Sequence, residues 1–212
     1  TPGSASSRRT ITFSCWFKKG LNAATWSWLM HSGASNDGTP SFGVGLKSDS
    51  LSIIDLGADG AYDINFVTNR KFRDPSAWFH VVVAIDTTQG TESNRVKIYV
   101  NGVQETSFST NTQYSQNETT SFNNDYPNYL GSYGSGDYLD GSMSHFHFID
   151  GTAYAPTEFG ETDSTTGEWK IKTNVSVTYG TNGFFILKDG NSVTDQSGNS
   201  NNFTVGGGTL TK

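Results

Sequence analysis

Residues 78–103 read WFHVVVAIDTTQGTESNRVKIYVNGV. Phe79, Val81, Val83 and Ile85 alternate with Trp78, His80, Val82 and Ala84, the period-2 pattern of a strand whose two faces both meet other groups. After a polar link the alternation resumes, with Val96, Ile98 and Val100 on one face and Arg95, Lys97 and Tyr99 on the other. A half-solvated strand thus follows a buried one. Asn101-Gly102 supplies the two positive φ angles of a type I′ turn, so residues 103–108 are expected to fold back as the hairpin partner.

Outward from this stretch, the same alternation recurs. In residues 9–18, Ile11, Phe13, Cys15 and Phe17 share one face, with Thr10, Thr12, Ser14 and Trp16 on the other. In residues 25–32, strict alternation puts Trp26, Trp28 and Met30 opposite Ser27, Leu29 and His31. Shorter strands are expected at 42–46, 51–56 and 62–68, the last two joined by a hairpin at Ala58-Asp59-Gly60. Others follow at 129–133, 138–150 and 183–188, and Thr157 caps one helical turn over 156–160. Residues 109–128 show no sustained alternation, and so long a loop inside a domain is more often functional than inert.

The composition suits the pattern. At 212 residues the chain is read as one domain, residues 1–212. Only 33% of residues are apolar, 24 are Gly, and polar residues fill the gaps between short apolar runs, as many turns joining many strands require. Aromatic rings, 13% of the chain, must therefore supply much of the core. The fold expected is all-β, a two-sheet antiparallel jelly-roll sandwich. Residues 180–207 either complete it as a terminal edge segment or begin a following repeat; the need to bury Phe184, Ile186 and Phe203 favours completion.

Charge and cysteine usage exclude some classes. A net charge of −6, with Lys and Arg scattered, argues against nucleic-acid binding through phosphate neutralisation. The single cysteine, Cys15, cannot make an internal disulfide and reads as a small buried hydrophobe. The longest apolar run, 81–85, is far too short for a membrane span, and the first residues lack the apolar core of a signal peptide. A chain beginning at Thr1 rather than Met is expected of a processed or excised piece.

Trp78, His80, Asp86, Arg95, Tyr99, Val100, Asn101 and Gly102, in that order, resemble the laminin-G and concanavalin-A-like lectin/glucanase superfamily. Further matches stand at 11–17 (ITFSCWF), 138–149 (YLDGSMSHFHFI) and 195–203 (DQSGNSNNF), so the resemblance spans nearly the whole chain. It implies a concanavalin-A-like sandwich. Residues 149–169, IDGTAYAPTEFGETDSTTGEW, are similar to modules in structural proteins of marine bacteriophages, which implies a virion or extracellular setting.

The resemblance frames the candidate chemistry. Glucanases of this fold carry two Glu and an Asp at alternating positions on one strand, where the carboxylates act as nucleophile and acid. This chain has no E-x-D-x-E or E-x-D-x-x-E; residues 144–150 offer His145, His147 and Ile149 instead, which argues against a glycoside hydrolase. His145 and His147 have the spacing for two imidazoles to meet one metal ion, with His31 or His80 as a third ligand, although interstrand or surface histidines are the plainer reading. His80 reads as a hydrogen-bonded core residue. The resemblance also implies calcium at the sandwich rim, held by Asp140, Asp195 and Asn199; read without it, these residues are turn formers, and Ser144 stands where the family often has an acid.

For sugar recognition the need is an exposed ring with amides, hydroxyls or carboxylates beside it. Tyr114, Tyr126, Tyr129, Tyr133 and Tyr138 cluster in sequence with Asn123, Asn124, Asp125, Asn128 and Asp137 interleaved. The carbohydrate-binding set expected is Tyr114, Tyr126, Tyr129, Tyr133, Asn124, Asp125 and Asp137. The same composition suits a protein contact, and the core must claim some of these tyrosines. The function expected is a non-catalytic glycan-binding or adhesion module of a phage tail fibre, spike or decoration protein. Its partners would be cell-surface glycan or other virion proteins, with homo-oligomers formed through the parent fibre or capsid. The alternative is a purely structural virion subunit.

Overall fold

The computed structural model describes residues 1–21, 25–34, 39–134, 136–188 and 192–210. The strand quoted first, β6 (Phe79–Asp86), lies beside β1 (Thr10–Lys19), which in turn pairs with β11 (Gly141–Asp150). With β7 (Val96–Val100), β8 (Val103–Gln104) and β14 (Phe184–Ile186) they form a six-stranded antiparallel sheet, sheet A, in the order β14-β11-β1-β6-β7-β8. Sheet B is antiparallel too and contains β2 (Trp26–Gly33), β3 (Ser41–Lys47), β4 (Ser50–Leu56), β5 (Tyr62–Lys71), β9 (Phe108–Thr112) and β10 (Asn128–Leu130), in the order β10-β2-β3-β4-β5-β9. The molecule is an all-β jelly-roll sandwich. Among the described residues, no helix is long and apolar enough to cross a membrane.

The facing surfaces of the two sheets make the main core. Ile11, Phe13, Cys15 and Phe17 meet Phe42, Val44, Leu46, Ile53, Ile64 and Phe66 across it, and Phe146, Phe148, Phe184 and Ile186 close one side. Burial pushes the Cys15 thiol far above its ordinary range, which fits its place in this layer. Phe203 packs edge-on to Phe184 at 4.7 Å, and β14 pairs with β11 at the edge of sheet A.

A second core covers the other face of sheet A, where Val82, Ile149 and Phe159 pack with Tyr99, Tyr154, Val175, Val177 and Tyr179. Residues 152–182 supply this cover, including a small hairpin of β12 (Gly160–Thr162) and β13 (Trp169–Ile171). That hairpin is pinned by His80, whose ring stacks on Trp16 at 4.9 Å and on Trp169 at 6.0 Å. Trp169 Nε1 donates to His80 Nδ1 at 3.0 Å, so the proton of the neutral imidazole sits on Nε2 and is given to Ser14 Oγ at 2.8 Å. Gly102 has φ 79° in the turn after β7, and a Cβ there would come within 2.6 Å of the Trp169 ring. Only glycine satisfies both constraints.

Three local expectations are corrected. The hairpin after Asn101-Gly102 pairs only over Val103–Gln104; the chain then crosses to sheet B, where β9 pairs with β5. The buried Glu105 fixes this crossing by accepting from Arg70 Nε at 2.7 Å and from the backbone of Ser107. Thr157 is not a cap: the turn is a 3-10 turn at Pro156–Glu158, preceded by Ala155, with no side-chain cap. The polar stretch 109–128 is no free loop either, since it begins inside β9 and sends Tyr114 and Phe122 into the core.

Tyr114 anchors that stretch. Its hydroxyl donates to Asp55, a fully buried carboxyl on the inner face of β4 that also accepts from the Ser121 backbone. Burial outweighs these hydrogen bonds and pushes the Asp55 carboxyl up to about 6. A raised folded-state value means stability that is complete below the unfolded value near 3.8 and is lost as pH rises through about 6. The shift corresponds to about 3 kcal/mol. The Asp55→Asn variant, which removes the ionisation, is therefore expected to gain on the parent by about that amount between pH 4 and pH 8 in urea unfolding; a stability difference that does not change with pH would refute this.

Candidate functional site

The loop cluster around β10 is held from beneath by an aromatic stack on the outer face of sheet B. A bulge between Trp28 and Met30 shifts the register of β2, so Trp28 stands opposite Gly45 and His31 opposite Gly43, both outward, while Met30 turns into the core. Strict alternation had set His31 against Trp28. Trp26 stacks on Trp28 at 4.6 Å and 4°, Trp28 meets Tyr133 at 5.3 Å, and Tyr133 covers His31 at 3.8 Å. Tyr129 lies 6.3 Å from His31, and Lys47 Nζ sits 5.1 Å from the Trp26 ring. The Trp28 ring lies flat on β3 because Gly43 has no Cβ; one would fall 2.2 Å from the ring.

His31 is wholly enclosed, and burial lowers its pKa to about 4. Its ring nitrogens, Trp28 Nε1 and the hydroxyls of Ser41 and Ser52, all on this outward face, have no hydrogen-bond partner among the described residues. The loop after β10 is tied across the stack, because Trp28 N donates to the Asp137 carbonyl at 3.4 Å and Tyr133 and Gly136 exchange backbone hydrogen bonds. Asp137 itself is exposed, with φ 47°.

On the other side of β10 the sandwich opens into a cleft of about 910 Å³. Its apolar lining includes Leu139, Met143, Phe184 and Ile186. Tyr129 and Tyr138 border it, as do the amides of Asn128, Asn201 and Asn202. Tyr138 is 65% exposed, and the buried Asn128 Oδ1 has no partner among the described residues. No Asp or Glu lines the cleft among the described residues.

The expected site residues divide accordingly. Tyr129 lines the cleft and touches the stack; Tyr133 belongs to the stack, and Asp137 to the loop above it. Asn124, Asp125 and Tyr126 lie in the approach to β10 outside the cleft lining, where Asn124 Oδ1 accepts from Asp125 N at 3.1 Å. Tyr114 is corrected: fully buried against Asp55, it has no face to offer a sugar. Asn201 and Asn202 were missed, because they reach the cleft only when the segment after β14 folds back, and no local pattern marks that.

The residues proposed for metal do not converge. Asp195 is spent on its own turn, accepting from Phe185 N, Ser197 N, Ser197 Oγ and Asn201 N. Asn199 Nδ2 donates to the carbonyls of Gly180 and Gly183. Asp140 precedes β11, and its carboxylate lies where a Cβ on Gly20 would be. Phe185, bound to Asp195, pairs with His147, seven residues further along the strand, so Asp140 and Asp195 are roughly 20 Å apart. The set does not fit one calcium ion. His147 is likewise committed, its Nδ1 to Tyr179 Oη at 2.8 Å with the ring stacked on Phe185 at 3.9 Å, while His145 sits at a bulge with φ 47° and Nδ1 beside Ser144 Oγ. Among the described residues, no group of three or more His, Cys, Asp or Glu could hold a metal.

This architecture is that of a lectin-like domain. The family model for the concanavalin A-like lectin/glucanases superfamily, of laminin-G type, matches residues 1–158, and the chain belongs to that family. Among solved structures, the NanB sialidase from Streptococcus pneumoniae superposes with a TM-score of 0.51 and 17% identity, over 76% of this chain and 27% of that one. A native heptameric SAP-like pentraxin from Limulus polyphemus follows at 0.45 and 16%, over 72% and 68%. The CBM40 of the Ruminococcus gnavus IT-sialidase, bound to alpha2,3 sialyllactose, gives 0.45 and 15%, over 65% and 73%. No curated protein matches the chain by sequence.

Burial also sets the acid limit of the fold. Desolvation lowers His31 to about 4 and His80 to about 3, and holds His147 well below its ordinary value. Depressed histidines give stability that is complete above about pH 6.5 and is lost as pH falls toward the folded values. At pH 4.5 His31 and His80 each cost roughly 2 to 3 kcal/mol, with a further loss from His147. Asp55 recovers less than their sum, so the Tm at pH 4.5 is expected at least about 10 °C below that at pH 7; calorimetry showing an equal or higher Tm in acid would contradict it.

Proposed function

We propose that the domain is a non-catalytic glycan-binding module whose sugar lies in the cleft beside β10. The observation that carries this reading is Tyr138, a ring 65% exposed on a 910 Å³ cleft bordered by Asn128, Asn201 and Asn202. A sugar face stacks on such a ring, and its hydroxyls meet the amide atoms not already spent: Asn201 Nδ2 donates to the Thr181 and Gly183 carbonyls and Asn202 Oδ1 accepts from Asp195 N, which leaves Asn201 Oδ1 and Asn202 Nδ2. Tyr129 supplies a second ring, held by the stack on His31. Bond cleavage is disfavoured there, because glycoside hydrolysis needs two carboxylates roughly 5 to 10 Å apart and the described cleft lining contains neither Asp nor Glu.

We further propose a virion, hence extracellular, setting, supported by the resemblance of residues 149–169 to phage structural modules. The glycan would then be a host-surface one, with other virion proteins or further copies along a fibre or capsid as assembly partners. An antibody against the module should label intact purified virions; labelling confined to lysed-cell debris would remove this setting.

A glycan array tests the binding itself. Saturable binding is expected, unchanged by EDTA, and weakened at least tenfold, about 1.4 kcal/mol, by Tyr138→Ala. The exposed ring contributes little to packing, so the melting temperature of that variant should stay within a degree or two. Silence across the array, or full binding by Tyr138→Ala, would overturn the assignment.

A further inference from the structure

The covered face of sheet A has an opening that neither the core nor the cleft uses. It is a recess of about 280 Å³ over Ala84, between β6 and β7, with residues 153–155 as the far wall. Ala84 stands opposite Lys97, and Val82 opposite Tyr99. The hollow exists because a methyl group occupies the row between larger neighbours, and Ala153 and Ala155 leave its other side shallow. Two rings flank it. Tyr99 and Tyr154 both pack on the Val82, Ile149 and Phe159 cluster, and Tyr154 is further fixed by its backbone N donating to Thr12 Oγ1 at 2.8 Å and its hydroxyl accepting from Thr178 N at 3.2 Å.

The polar groups of the recess fall into two kinds. Asp86 is committed to its own turn, accepting from Thr88 N, Thr88 Oγ1 and Gln89 Nε2. Lys97 Nζ, the Tyr99 hydroxyl and the Asn94 side-chain amide have no partner among the described residues. Burial raises the Tyr99 pKa, so its hydroxyl remains a donor across the physiological range. An ammonium on the half-buried Lys97 that makes no ion pair among the described residues, two uncommitted groups that hydrogen-bond, and a shallow apolar floor between two rings point to a small amphipathic anion. The volume lies below the roughly 300 to 1,000 Å³ of sites for drug-sized ligands and suits a single ring.

We propose that this recess is a second binding site, which takes one pyranose ring bearing a carboxylate. Lys97 meets the carboxylate, Asn94 and Tyr99 meet ring hydroxyls, and the apolar sugar face rests on Ala84 and the Tyr154 ring. Asp86 also lines the recess, its carboxylate turned to Thr88 and Gln89, and opposes an acid group placed beside it. The site lies on sheet A and stands independently of the cleft.

Glucuronate and glucose differ only in the carboxylate at this scale, which makes them the test pair. With ¹⁵N-labelled protein, glucuronate is expected to shift the amides of Ala84, Lys97, Tyr99 and Tyr154 saturably in the millimolar range. Glucose should bind at least tenfold more weakly. The Lys97→Met variant, which keeps the aliphatic stem and leaves the rest of the spectrum in place, should reduce glucuronate to the level of glucose, and added salt should weaken the parent toward the same level. Tyr138→Ala should leave these shifts intact, so failure of the cleft and failure of the recess read out separately. Equal binding of the two sugars, absence of saturable shifts, shifts confined to cleft residues, or a Lys97→Met variant that binds as well as the parent would each overturn the proposal.

Discussion

The middle of sheet A, along β1, β6 and the second half of β11, is buried on both faces, and the rest of the molecule follows from that. One face meets sheet B through aliphatic and aromatic side chains, and the other is sealed by residues 152–182. A sheet buried twice cannot leave its polar outward groups to water, so Ser14, His80 and His147 must find partners inside. Ser14, His80 and Trp169 solve this with one directed chain of hydrogen bonds that assigns each ring nitrogen a single role. The same chain fastens the β12–β13 hairpin, and that hairpin closes the second core. Protonating any of these buried imidazoles removes an acceptor and adds a charge where water cannot solvate it.

Sheet B handles its outward face differently. Instead of a covering segment it uses its own rings, laid across two glycines of β3 and braced by the loop after β10. The arrangement is stiff where it must be, since Tyr129 and Tyr133 are stacked on His31 and cannot swing freely. It leaves Tyr138, beside Tyr129 on the cleft, largely exposed. A rigid platform with an exposed ring at its margin suits recognition of a flat apolar face, because little ordering entropy is spent on binding.

The two sheets therefore present different kinds of opening. The cleft beside β10 is large, rich in amides and free of acids among its described lining, which suits uncharged hydroxyl-bearing ligands. The recess over Ala84 is small and holds Lys97, which makes no ion pair among the described residues, and this suits an acid group on a single ring.

The alternation of residues in 9–18 and 78–100, the Asn101-Gly102 turn and the aromatic content were enough to specify an all-β sandwich with a strand buried on both faces, because side-chain direction in a strand follows directly from sequence parity. Parity fails wherever a bulge inserts a residue, and so the outward placement of His31 beside Trp28, and with it the aromatic stack, could not be read from the sequence. The neighbourhood of Tyr129, Tyr133 and Asp137 was legible as a cluster of rings and polar groups. The burial of Tyr114 was not, because the same residue type serves core and surface and only the buried carboxyl of Asp55, 59 positions away, claims its hydroxyl. Likewise the family resemblance grouped Asp140 and Asp195 at one ion, while the run of β11 separates them. Sequence fixes which faces are apolar; long-range pairing, which sequence spacing does not encode, decides what stands opposite what.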